Sequence, residues 1–292
     1  MMARLRPGSR LRSAWRSRRA VPSTAADAAR SSRRWATWGG LFGLLIGMVV
    51  FAPASWLAGW VQAGTQGRVQ LAGAEGTIWS GSAQLVLTGG PGSRDARLLP
   101  GRMAWTLRPG LTQWALQLQH APYLNGPVEL RFGPGLGRLH AEVLHTGNWI
   151  GQFPTAWLAG LGTPWNTVQP GGALRIDSRD LALEWARGRL MLRGELSVEL
   201  RDLSSRLVTL PRLGSYRISL RGDPDGSGTA LVTLTTQDGS PLRLSAAGSW
   251  SASGLRLRGE AAAASDDDVP ALANLLNIIG RREGTRTLLT IG

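Results

Sequence analysis

Hydrophobic and polar positions follow two regimes along this chain. From Trp35 to Gly67 no residue is charged, and the centre of that run reads LFGLLIGMVVFA from Leu41 to Ala52. After Arg68 apolar and polar residues alternate with the period of a β-strand. The first regime predicts a membrane helix. At 1.5 Å per residue, Ala36 to Ala52 spans about 26 Å and continuation to Trp60 about 37 Å, lengths that bracket a hydrocarbon core of about 30 Å. Trp35 and Trp38 at one end, with Trp56 and Trp60 at the other, suit the two headgroup zones. Pro53 is expected to kink the helix or end it near the outer interface. A cleaved signal is the competing reading, because Ser32-Arg-Arg-Trp35 faintly resembles a twin-arginine signal and Ala52-Pro-Ala54 offers small residues. Proline between those small residues is a poor cleavage context, and the tryptophans continue beyond it.

The second regime predicts a β meander. Gly76 to Leu87 reads as a strand kinked at Gly81. Arg102 to Leu107 and Gln113 to Gln119 form a hairpin about the Pro109-Gly110 turn, and Val128 to Phe132 pairs with Arg138 to His145. Residues 147–170 are less regular; a loop with a short helix, holding Trp149, Phe153, Trp157 and Trp165, is expected to plug one end of the sheet. Strands then resume at Ala173 to Asp177, Leu181 to Trp185 and Leu190 to Leu200, the last bent at Gly194. Further segments are Arg206 to Leu210, Ser215 to Arg221, Thr229 to Thr236, Leu242 to Trp250 and Leu255 to Gly259. One late helix is marked by Asp266-Asp-Asp268 as N-cap, Pro270 in the first turn, a Leu272, Leu275, Leu276, Ile279 stripe and Gly280 as the stop. It is expected to cap the sheet.

The fold class that follows is mainly β: a single transmembrane helix, then a large antiparallel, meander-like twisted sheet with a C-terminal capping helix. The expected organisation is an arginine-rich, disordered cytoplasmic tail over residues 1–34, a transmembrane helix with an interfacial segment over 35–60, and a periplasmic β-rich domain over 61–292. Thirty-nine glycines and sixteen prolines agree with a turn-rich β protein.

Charge refines the topology. All 33 basic residues are arginine. Ten lie in residues 4–34 against one aspartate, which holds that end inside a membrane and attracts it to anionic headgroups. The rest carries twenty-three arginines against eighteen acids, a net of +5. These arginines are spread singly along strands, the pattern of a solvated sheet face rather than of a nucleic-acid surface.

The sequence offers little for catalysis. The absence of cysteine excludes disulfides and thiolate metal sites. His120, His140 and His145 are too scattered for a metal centre, three adjacent aspartates lack the spacing of a calcium loop, and no hydrolase or phosphate-binding motif is present. Neither a cofactor nor a catalytic residue is expected. Trp79, Trp105, Trp114, Trp185 and Trp250 lie in alternating segments. Two readings stay open for them: core packing, or an apolar groove for a lipid or a partner strand.

One order of motifs carries a resemblance. Leu71-Ala-Gly-Ala-Glu-Gly-Thr-Ile-Trp-Ser-Gly81 follows the anchor and its Ala52-Pro-Ala-Ser-Trp-Leu57 segment. The tryptophan hairpin Trp105-Thr-Leu-Arg-Pro-Gly-Leu111 with Trp114 comes next, then Leu210-Pro-Arg-Leu-Gly-Ser-Tyr216 and the Leu/Asn-rich helix from Leu272 to Ile279. Over residues 36–290 this resembles general secretion pathway protein N, the N component of the type II secretion system. Its most specific part is Gly76, Thr77, Trp79 and Gly81, expected to be structural. The arginine-rich tail has no counterpart in the resemblance. The resemblance implies a non-enzymatic inner-membrane accessory of the machine that exports folded proteins from the periplasm. The partners it implies are the inner-membrane platform or the secretin, together with the phospholipid bilayer. That family also resembles the AsmA and TamB type of anchored, groove-forming β protein, which implies bound lipid as the alternative.

Overall fold

The computed structural model describes residues 24–135, 137–186, 189–222, 228–251 and 253–292. The chain divides between Val50 and Phe51 into two compact units. In the first, helix α1 (Thr24–Val50) begins inside the arginine-rich tail. Residues 1–23 lie outside the described residues, and the disorder expected of them with them.

The second unit starts with helix α2 (Ala54–Gly64). The helix ends before Pro53, as that residue predicts, so Trp56 and Trp60 lie on a separate helix. Pro53 cannot donate to the preceding turn. It makes instead an isolated bridge with Thr77, while the Ala52 carbonyl accepts the Ile78 amide at 3.0 Å. Among the described residues no helix is long and apolar enough to cross a membrane. The charge-free part of α1, Trp35 to Val50, rises only about 24 Å.

Among the described residues sixteen strands form one antiparallel sheet. They are β1 (Val69–Gly76), β2 (Ser80–Thr88), β3 (Ala96–Leu98), β4 (Met103–Arg108), β5 (Trp114–Gln119), β6 (Val128–Gly135), β7 (Arg138–His145) and β8 (Gly151–Pro154), followed by β9 (Gly171–Ala186) and β10 (Arg189–Ser204). After these come β11 (Gly214–Gly222), β12 (Ala230–Thr236), β13 (Leu242–Ser251), β14 (Gly254–Ala263), β15 (Arg281–Glu283) and β16 (Arg286–Ile291). Neighbours follow chain order, with β3 beside β2, β8 beside β9, and β16 between β14 and β15. A 3-10 helix (Thr155–Leu161) and the short α3 (Trp165–Val168) lie between β8 and β9, and α4 (Val269–Ile279) between β14 and β15.

Directly paired residues share a face, so the register assigns the two sides of the sheet. One side carries Trp105, Leu118, Val128, Leu183, Leu192, Leu220, Val232 and Leu257. The other carries the charges. Glu184 accepts Arg138 at 2.9 Å and faces Arg193 at 3.4 Å, and Glu199 lies 2.8 Å from Arg201 and 2.7 Å from Arg217. Burial raises the Glu199 pKa, but the two guanidinium groups outweigh it and hold the carboxyl below its ordinary value. The arginines are more than 40% exposed, so each pair contributes less than about 1 kcal/mol. These pairs keep the face wet rather than hold the fold.

Three stretches differ from the alternation read in sequence. Gly76 to Leu87 is two strands joined by the Thr77–Trp79 turn, not one kinked strand. Residues 173–177 and 181–185 belong to one strand, β9; Asp180, at φ 49°, inserts a bulge opposite Gly194, which has φ 77°. The bulge shifts side-chain parity, so Leu174 and Ile176 share a face with Leu181 and Leu183. Arg206 to Leu210 forms turns instead of a strand, because its Val208 and Leu210 pack against the α4 cluster.

α4 follows the expected stripe. Leu272, Leu275 and Leu276 are buried against Leu213, Leu242 and Ala261. Pro270 lies in the first turn, as expected. The expected aspartate cap does not form: Asp266–Asp268 make a 3-10 turn, and Ser265 Oγ donates to Asp268 Oδ2 at 2.8 Å. Beside this cluster Tyr216 is fully buried, its hydroxyl 3.0 Å from the Leu213 carbonyl and 2.9 Å from that of Leu242. Burial pushes the phenol pKa upward. Tyr216→Phe leaves these carbonyls without that donor and is expected to cost about 1–3 kcal/mol in urea unfolding.

Candidate functional site

The connections divide by length. Tight turns between β1 and β2, β4 and β5, and β6 and β7 lie at one end of the sheet, the hairpin end. The connections at the other end are mostly longer, although the seven-residue β11–β12 connection belongs to the hairpin end. The 3-10 helix packs on β2, β3 and β9 at that second end. It is about 14 Å long, whereas β2 and β9 stand five positions apart in the strand order, about 24 Å in a flat sheet. The sheet is therefore curled, with its apolar face inward. Stacked rings of Tyr123, Phe153 and Trp157, with centroids 5.9 and 5.7 Å apart, close the far end; of the segment expected to plug it, Phe153 and Trp157 join the stack, while Trp149 lies under Arg175 and Trp165 is exposed. The Trp157 indole donates to the Arg97 carbonyl at 3.0 Å.

His120 belongs to this plug. It is 2% exposed, lies 5.2 Å from the Tyr123 ring, and neither ring nitrogen has a partner among the described residues. Burial holds its pKa below the ordinary histidine value, its own backbone opposing this to a lesser extent. The unfolded chain thus binds a proton more readily than the folded one. The stability His120 allows is present above about pH 6.5 and is lost as pH falls below it toward the lowered folded pKa. Thermal melts are expected to show a steeper loss between about pH 7 and 5 in the natural chain than in His120→Phe.

At the hairpin end the apolar face is open. Trp114, Phe132, Leu139, Leu183, Trp185 and Leu190 line a groove of about 550 Å³. Trp79 stacks on Trp114 at 6.0 Å, and Trp114 on Phe132 at 6.4 Å. Leu139 is 59% and Trp185 49% exposed. The volume falls in the range of ligand pockets, about 300–1,000 Å³. The wall offers apolar contact and aromatic faces, with no paired nucleophile and base. Among the described residues no group of three or more His, Asp or Glu is placed to hold a metal.

Of the five tryptophans read as core or groove, Trp79 stacks on Trp114, and the other four divide between those readings. Trp105 is 4% exposed and packs with Ala54, Leu57 and Ala83 under α2. Trp250 packs against Leu181, Leu192 and Ala230. Trp114 and Trp185 line the groove. Phe132, Leu139 and Leu190 were missed as its partners; cross-strand register, which alternation alone does not supply, joins them. Of the other tryptophans, Trp35 and Trp38 are exposed on α1, and Trp56 and Trp60 on α2.

The Gly76, Thr77, Trp79, Gly81 element is a turn that seats Trp105. Gly76 has φ 88°. The Thr77 amide donates to the Ser80 carbonyl at 2.9 Å, and Thr77 Oγ1 accepts the Ser80 and Trp79 amides at 3.2 and 3.3 Å. A Cβ on Gly81 would stand 2.6 Å from Trp105 Cζ2, so only glycine admits the indole. The Trp105 indole donates to the Thr77 carbonyl at 3.3 Å.

Residues 67–288 match the family model described as type II secretion system (T2SS), protein N. No curated protein and no solved structure matches. The matched span runs from just before β1 into β16 and so takes in the groove, the plug and α4.

Proposed function

Because the chain belongs to the type II secretion system protein N family, we propose that it is a non-enzymatic accessory of that export machine, held at the bacterial inner membrane with its sheet in the periplasm. The observation that carries the reading is the family match over nearly the whole sheet. The charge-free run from Trp35 to Gly67, preceded by ten arginines, supports a single-pass anchor with its N-terminus in the cytoplasm. The partners are other secretion components, the inner-membrane platform or the secretin, met by strand addition at a sheet edge. β16 offers such an edge: β15 pairs only with Arg286 to Leu288, leaving Leu289 to Ile291 paired on the β14 side alone. Deleting the chain is expected to leave exported proteins in the periplasm, and the full chain to restore their release. Unchanged secretion in the deletion strain contradicts the proposal.

A second reading has its own support. The half-exposed aromatic wall of the groove suits an acyl chain, so the protein acts as an anchored lipid binder. Native mass spectrometry of detergent-extracted protein then shows bound phospholipid, lost on Trp185→Asp. Its absence removes this reading and leaves the first intact.

A further inference from the structure

The two ends of the sheet differ in closure, although both expose apolar side chains and arginines: Leu98 at 48%, Ile278 at 61%, Arg97, Arg206 and Arg212 are exposed toward the far end. The far end is plugged by the aromatic stack and by α4. The hairpin end exposes large apolar side chains: Phe51 at 77%, Leu111 at 107% in the β4–β5 turn, Leu139 at 59%, Trp185 at 49% and Ile291 at 55%. Arg108, Arg138, Arg189 and Arg256 are exposed at the same end. The acids there are paired, Glu184 with Arg138 at 2.9 Å and Glu75 with Arg102 at 3.3 Å. The β11–β12 connection, with Asp223 and Asp225, lies outside the described residues.

The chain also enters the sheet at this end. Ala52 is hydrogen-bonded to Ile78 and Pro53 bridges Thr77 in the β1–β2 turn. Only Phe51 separates Val50, where α1 ends, from Ala52, two chain steps with a reach of about 7 Å at most. The part of the charge-free run before Ala52 is therefore tethered by the chain to the hairpin end, whereas its remainder, α2, leads on to Gly67, whose carbonyl accepts Thr88 at the far end of β2. Tryptophan and arginine are the side chains that favour the headgroup zone of an anionic leaflet.

We propose that the hairpin end of the sheet docks on the lipid bilayer, its apolar rim entering the headgroup region and its arginines meeting anionic lipid. This rests on the membrane-held reading above. The rim presses the open mouth of the groove onto the leaflet, while the charged face and the plugged end stay in water. The sheet stands on the membrane by one end, with its edge strands running away from the surface and open to partners.

Because the natural chain has no cysteine, single probes can be placed without background. An environment-sensitive fluorophore is attached to full-length Leu111→Cys at the hairpin end, and to Pro211→Cys at the far end as a control. Each is reconstituted into phosphatidylethanolamine–phosphatidylglycerol vesicles with and without brominated lipid. Docking predicts a blue-shifted Leu111→Cys probe quenched at least twofold by brominated lipid, and an unaffected Pro211→Cys probe. Equal quenching at both ends overturns it. So does an unquenched Leu111→Cys probe in a chain that resists carbonate extraction, which leaves the anchor standing. A Leu111→Cys probe shielded from water but untouched by brominated lipid overturns docking in favour of a protein partner. A chain that carbonate strips from the vesicles removes the anchor and the docking together.

Discussion

Trp105→Ala is expected to lower the free energy of unfolding by about 3–5 kcal/mol, the range for deleting a large buried aromatic side chain. Trp105 is 4% exposed and joins three layers: Ala54 and Leu57 of α2 above it, Ala83 of β2 beside it, and the Gly76–Gly81 turn at its indole nitrogen. Truncation opens a cavity that α2 cannot fill, because Ala54 is small and Pro53 is fixed by its bridge to Thr77. Gly81→Val is expected to do comparable damage from the opposite direction, by forcing a methyl-bearing carbon into the indole. Urea unfolding followed by tryptophan fluorescence measures both. A loss under about 1 kcal/mol for either variant contradicts the role given to this turn.

The second large effect concerns the charge-free run. Gly43→Arg with Gly47→Arg places two arginines one helical turn apart in a segment that otherwise has no charge from Trp35 to Gly67. Each costs about 2.5–3.5 kcal/mol at the centre of a membrane helix, so the pair opposes insertion by about 5–7 kcal/mol. The variant is expected to move to the carbonate-soluble fraction and to lose its support of secretion. The sheet lies in the second unit, and its thermal melt is expected to stay unchanged. Retention of the double variant in membranes places the attachment elsewhere in the chain.

The two regimes of the sequence carry different amounts of information. Alternation identifies the apolar face of β4 to β7 and of β11 to β14, because each strand there keeps one parity. It fails where parity changes inside a strand, as in β9, where the Asp180 bulge makes one strand read as two. It fails again after α4, where β15 and β16 are too short and too mixed to stand out, although they complete the edge of the sheet. The anchor illustrates a third limit. Composition marks an uncharged stretch, but it does not show that Ala52 and Pro53 are drawn into the β1–β2 turn and divide that stretch into two helices.

Part of the groove is legible in the sequence. Trp114 and Trp185 are conspicuous by type, whereas Phe132, Leu139 and Leu190 join them only through pairing between strands. What the groove faces follows from neither pattern nor composition. It follows from the closure of one end by the Tyr123, Phe153 and Trp157 stack, a contact between the β5–β6 and β7–β9 connections.

The central claim is that this sheet works as a part of the secretion machine. Photo-crosslinking in secreting cells tests it most directly, with a photoreactive residue at Thr290 on the β16 edge, at Gln70 on the β1 edge, and at Thr233 in the middle of the charged face. The account predicts adducts with another type II secretion component from an edge position and none from Thr233. Chain present at its normal level, with no such adduct from either edge, contradicts it.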